Sequence, residues 1–99
     1  MQQLNRLYVL VREDLGPSYS AVQAGHAVAQ YMLEYPDSWR NYTLVYLKVK
    51  DEQTLLEWRD KMIMRGQPYA LFREPDIQNE ATAVAVQSTG NIFNKLKLL

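Results

Sequence analysis

No cysteine occurs in the 99 residues, which excludes a disulfide framework and thiolate chemistry and suits a reducing compartment. The single histidine, His26, has no cysteine to share a zinc site, and the carboxylates match no oxygen-ligand motif. No metal and no other cofactor is therefore expected. A glycine-rich phosphate loop is missing, and no serine or cysteine elbow stands beside His26 to suggest a triad. Long apolar runs are missing too: near the start the longest is Leu7 to Val11, too short for a signal core or a membrane span. The expectation is a soluble, cytoplasmic protein without a membrane partner. Eleven basic residues balance eleven acidic ones, so whole-molecule steering toward nucleic acid is absent. Lysine is missing from the first 47 residues, since the first in the chain is Lys48.

What is present fits one domain over residues 1–99. A chain of this length buries about two-thirds of the surface its unfolded form exposes, and 47% hydrophobic residues are enough to fill one core but not two. Leu7-Tyr8-Val9-Leu10-Val11 has the pattern of a strand buried on both faces. Gly16-Pro17 stops it and starts a helix that ends at Pro36. At about 100° per residue, Ala21, Ala24, Gly25, Val28, Met32 and Tyr35 share one face, predicted to lie on a sheet. Thr43 to Val49 reads as a second strand, and Asp51 as the N-cap of a second helix with Leu55, Trp58 and Met62, flanked by Leu56 and Ile63, on its apolar side. Gly66 is its expected C-terminal cap, with Pro68 beyond. Tyr69 to Arg73 and Thr82 to Val86 are a third and fourth strand. Gly90 to Lys97 is a short helix or irregular tail held by Ile92, Phe93 and Leu96. This order predicts an α/β three-layer sandwich, a mixed four-stranded sheet flanked by helices.

Two groupings carry chemistry. Tyr19, Gln23, His26 and Gln30 fall within about 60° on the wheel of the first helix, opposite the apolar face. A phenol, two amides and an imidazole in a row can line a polar cleft, although spacing alone favours the plainer reading, the wet side of a helix. The second grouping is Arg73-Glu74-Pro75-Asp76-Ile77-Gln78-Asn79-Glu80-Ala81-Thr82, between the third and fourth strands. It holds three carboxylates, two amides and a hydroxyl at the strand ends where α/β folds place their sites. A carboxylate there can activate water; the plainer reading is a polar turn, but a hairpin needs fewer polar groups than this. Tyr31, Tyr35, Trp39 and Tyr42 could stack bases, though helix-end packing explains them more simply.

These pieces resemble the type 2 peptidyl-tRNA hydrolase family. Tyr8-Val9-Leu10-Val11-Arg12-Glu13-Asp14-Leu15 is similar to its opening strand, and Gln23-Ala24-Gly25-His26-Ala27 to its active-site helix. Gly66-Gln67-Pro68-Tyr69-Ala70-Leu71-Phe72-Arg73 is similar to the approach to its third strand, and Lys95-Leu96-Lys97-Leu98-Leu99 to its ending. The resemblance implies a metal-independent esterase that frees a peptide from the 3′ end of tRNA, in a homodimer. It places Gln23 and His26 on the active-site helix, Glu74 where the family has an aspartate, and Thr82 near a site threonine. The family lysine, four residues before the glutamine, is Tyr19 here, which marks a divergent member. A phenol donates one hydrogen bond but carries no positive charge at neutral pH.

The resulting expectation has Gln23, His26, Glu74, Asp76 and Thr82 as catalytic candidates, with Glu74 or Asp76 orienting the attacking water. Tyr19, Ser20, Asn79 and Gln30 are the substrate-binding candidates, with Gln23, Asn79, Thr82 and Tyr19 hydrogen-bonding the ester or the terminal adenosine. The rival expectation, from another class, is a binding module that kept the cleft and lost hydrolysis, or a variant that cleaves a nucleotide signal, with a nucleotide-like small molecule as ligand.

Overall fold

The computed structural model describes residues 5–99. Its sheet is built from β1 (Arg6–Arg12), β2 (Leu44–Val49), β3 (Tyr69–Glu74), β4 (Glu80–Ser88) and β5 (Lys97–Leu98). Two helices, α1 (Pro17–Glu34) and α2 (Glu52–Met64), complete it. The strand order is β3-β4-β1-β2-β5. The β1–β2 pair is parallel, joined through α1, and the β1–β4, β3–β4 and β2–β5 pairs are antiparallel. The sheet is thus mixed and flanked by helices, as expected, but it has five strands rather than four. The fifth pairs only Lys97 and Leu98 with Lys48 and Leu47, a strand too short to leave a periodic signal in the sequence.

The unbroken apolar run of β1 is explained by burial on both sides. Leu7, Val9 and Val11 pack with Ala24, Ala27, Tyr31, Ala70, Ala83 and Ala85 beneath α1. Tyr8 and Leu10 pack with Leu47, Val49, Leu55, Met62, Val84, Val86 and Phe93 beneath α2. Alternation along each strand sends neighbours to opposite faces, so two apolar clusters sandwich one sheet.

Helix ends follow local chemistry. Asp51 accepts a hydrogen bond from the Thr54 backbone N–H at 2.9 Å, the N-cap of α2. At the other end Gly66 adopts a left-handed φ of +68°. Its N–H donates to Ile63 and that of Gln67 to Met62, both at 3.0 Å, a Schellman closure that needs glycine at this turn.

The buried stripe of α1 differs from the predicted one. It runs through Ser20, Gln23, Ala24, Ala27 and Tyr31, whereas Ala21 and Met32 are exposed. Small side chains at 20, 24 and 27 let the helix approach the sheet closely. The polar Ser20 and Gln23 are tolerated there because both are hydrogen-bonded. On α2, Leu55 and Met62 are buried, Trp58 and Leu56 half-buried, and Ile63 lies outside. The segment after β4 forms a single 3-10 turn at Asn91–Phe93, with Phe93 against Tyr8 and Trp58. Among the described residues, no helix is long and apolar enough to cross a membrane.

Candidate active site

The loop after β3 and the first turns of α1 meet above one end of the sheet. Arg73 and Phe72 of β3 pair with Ala81 and Ala83 of β4. Thr82 is therefore the extra residue of a β-bulge, and bulges re-aim side chains. Its hydroxyl points at α1 and donates to Gln23 Oε1 at 2.7 Å. Fixed by that bond, the amide presents Nε2 to Glu74 Oε1 at 2.8 Å. The other oxygen of Glu74 accepts the Asp76 backbone N–H at 3.2 Å, where a 3-10 turn begins at Pro75. His26 stands one turn beyond Gln23, its Nδ1 3.8 Å from Glu74 Oε1, with its ring edge-on to Phe72 at 4.7 Å. The four side chains form one connected polar cluster.

Burial separates their roles. Gln23 and Thr82 are completely covered, so the expected direct hydrogen bonds from these two to a substrate are corrected: their polar atoms are already spent on each other and on Glu74. Glu74 retains a narrow solvent-facing edge, 7% exposed, and the His26 side chain is 44% exposed. The Gln23 amide, the Asp76 N–H and the nearby His26 hold the Glu74 carboxyl below its ordinary value near 4.5, against the opposing effect of burial. Glu74 is therefore a carboxylate throughout the neutral range.

The remaining candidates are dispersed. Ser20 is buried and donates to the Arg12 carbonyl at 2.6 Å, tying α1 to the end of β1 and leaving it unable to bind substrate. Gln30 donates to Glu34 at 2.6 Å, but with His26, Ala29, Leu33 and Phe72 it lines a shallow, mostly apolar groove of about 350 Å³ beside the cluster. Asp76 joins the cluster through its backbone alone and its side chain is exposed. Asn79 is exposed in a left-handed turn with Gln78, and its backbone carbonyl accepts from Arg73. Tyr19 is half-buried; burial, with Glu74 and Asp76 nearby, raises its phenol above the ordinary value of 10.0. It is thus a neutral donor at the mouth of the cluster.

Two residues absent from the expectation complete the surroundings. Phe72 floors the groove under His26; its place in an apolar strand hid it among core residues. Arg12 is buried, donates to Asp14 and Glu80 at 2.8–3.0 Å and to the Ala81 carbonyl at 3.1 Å, and so anchors the start of β4 just before Thr82. No group of three or more His, Asp or Glu side chains converges to hold a metal among the described residues.

Residues 5–99 match the family model Peptidyl-tRNA hydrolase PTH2. The chain belongs to this family. Among solved structures, it is similar to a protein of unknown function from Agrobacterium tumefaciens strain C58. That protein has 12% sequence identity and a TM-score of 0.72, with 99% of each chain covered. At that identity the likeness is one of fold. No curated protein matches the chain in sequence.

Proposed function

We propose that this family member hydrolyses the ester between a peptidyl or aminoacyl group and tRNA, by direct attack of water. The single observation that carries the reading is the Thr82–Gln23–Glu74 chain of hydrogen bonds, with His26 at its solvent-facing end. A water on the open edge of Glu74 attacks the ester carbonyl. The new C–O bond forms as the bond to the ribose 3′ oxygen breaks, and the water's proton ends on that departing oxygen. Glu74, with its lowered proton affinity, is a weak proton acceptor but a permanent negative charge. Its role is to orient the water, and the adjacent imidazole of His26 relays the proton. Gln23 and Thr82 are positioning residues that hold Glu74 rather than touch substrate. Asp76, with its side chain outside the cluster, is displaced from the water-orienting role in favour of Glu74. The same reading implies a homodimer, and a reducing, cytoplasmic compartment that suits the cysteine-free composition.

A second reading rests on Tyr19. A neutral phenol at the position of the family lysine supplies no positive charge for an oxyanion, which favours a binding module for a nucleotide-like ligand. Single-turnover release of tRNA from an N-blocked aminoacyl-tRNA, with protein in excess, separates the two. Glu74→Gln is expected to slow release by about 10²–10⁴-fold, and Gln23→Ala to slow it strongly, both in folded protein. Glu74→Gln acting at the wild-type rate removes the assignment. No release from the folded wild type leaves the binding module.

A further inference from the structure

On the face of the sheet that carries α1, β2 and β5 lie beyond the strands on which that helix packs. Registered neighbours in a sheet point to the same face, and the pairings align one row across all five strands: Phe72, Ala83, Val11, Lys48, Lys97. Phe72, Ala83 and Val11 lie in the apolar cluster beneath α1. Lys48 and Lys97 continue that row onto β2 and β5, past the region where α1 packs, which is β1, β3 and β4. At about 4.8 Å between strands, their backbones lie about 10 and 14 Å from Ala83, the neighbour of Thr82. Tyr46, two residues before Lys48, projects from the same face and is half-buried.

Charge makes this surface unusual. Like charges directly opposite each other on neighbouring strands are destabilising, yet Lys48 and Lys97 are paired in register. Neither has a carboxylate within ion-pair distance among the described residues. The nearest acidic residues in sequence are committed elsewhere: Asp51 to the N–H of Thr54 and Glu52 to the N–H of Ala81. Lys50 and Lys95 flank the pair in sequence, so four of the chain's five lysines fall in the segments 48–50 and 95–97. A molecule without net charge thus has four of its five lysines near one sheet edge, and register puts Lys48 and Lys97 on the face that carries the candidate site.

We infer that Tyr46, Lys48 and Lys97 carry the single-stranded 3′ end of the RNA across the open sheet, the two ammonium groups on its phosphates and the tyrosine ring against a base. This rests on the proposed hydrolysis: a strand whose terminal ribose ester lies at Glu74 continues as a phosphodiester backbone, and this row is a cationic path leading from there. Aromatic rings beside cations on an exposed sheet are the usual platform for unpaired bases. An acidic peptide would meet the same lysines, but nothing would join it to the ester site.

The test is fluorescence anisotropy of an RNA hairpin with a single-stranded CCA 3′ end, over a series of salt concentrations, with wild type, Lys48→Gln/Lys97→Gln and Lys61→Gln. Each lost phosphate contact should flatten the plot of log affinity against log salt by about 0.7, hence about 1.4 for the double variant. Lys61, which lies over the Trp58 ring on α2, should leave the slope unchanged. An unchanged slope in the double variant overturns the inference, as does a wild type that fails to bind the hairpin at about 50 mM salt. Lysine-dependent binding of poly-glutamate but not of the hairpin overturns it in favour of an acidic protein partner. The esterase assay is read separately. Lysine-dependent RNA binding without hydrolysis keeps this surface and removes the catalytic reading, and hydrolysis with a lysine-independent slope does the reverse.

Discussion

Thr82 donates its one hydroxyl proton to Gln23 Oε1, and no solvent reaches that pair to substitute for it. Thr82→Val keeps the shape of the side chain and leaves a buried carbonyl oxygen without a donor, at a cost of about 1–3 kcal/mol. Urea denaturation of the variant is expected to show a lowered midpoint with an unchanged slope; a wild-type midpoint would mean that the amide finds another partner. The four cluster residues were legible in the sequence through motif resemblance, not through helical spacing. A wheel pushes glutamine outward by default, and Gln23 lies inward only because its partners, Glu74 and Thr82, arrive from 51 and 59 residues away. The aim of Thr82 was not legible at all, since a bulge is a property of two strands together. The inward aim of Ser20 is hidden for a similar reason: its acceptor is the Arg12 backbone carbonyl, which no pattern of side chains reveals.

Strands and helices owe their ends to a few backbone positions, and two glycines allow a comparison. Gly66, at φ +68°, has open space where a Cβ would stand, whereas at Gly90, φ +93°, a Cβ would overlap the Tyr8 side chain. Gly66→Ala therefore carries only the left-handed penalty of about 1–2 kcal/mol. Gly90→Ala adds displacement of a tyrosine that packs on Phe93. Thermal denaturation should show the larger fall in Tm for Gly90→Ala, and equal falls would contradict the close packing of Tyr8. The four longer strands and both helices were readable from apolar runs, caps and the Gly-Pro break, because each is long enough to show its own period. β5 was not readable, because two residues have no period. The tail that precedes it shows in the sequence only through its anchoring side chains, of which Phe93 is the buried one.

For the molecule as a whole, the layered class followed from the alternation of strand and helix, which restricts the crossover from β1 to β2 to one hand. The distribution of charge did not follow from composition. Equal numbers of acids and bases describe both an evenly mixed surface and one with its lysines gathered at an edge, and only the register of β2 with β5 distinguishes them. Strand order has a consequence for the making of the protein. β4 is the last long strand in the sequence, yet it lies between β3 and β1. A chain ending at residue 79 would contain both neighbours with nothing between them, each exposing a row of unpaired amides along an apolar edge, the template on which strands of different molecules associate. Such a fragment should be recovered as aggregate, and a soluble, cooperatively unfolding fragment in sedimentation and melting experiments would contradict this. Resistance to aggregation, on this topology, arrives with residues 80–88 and not before.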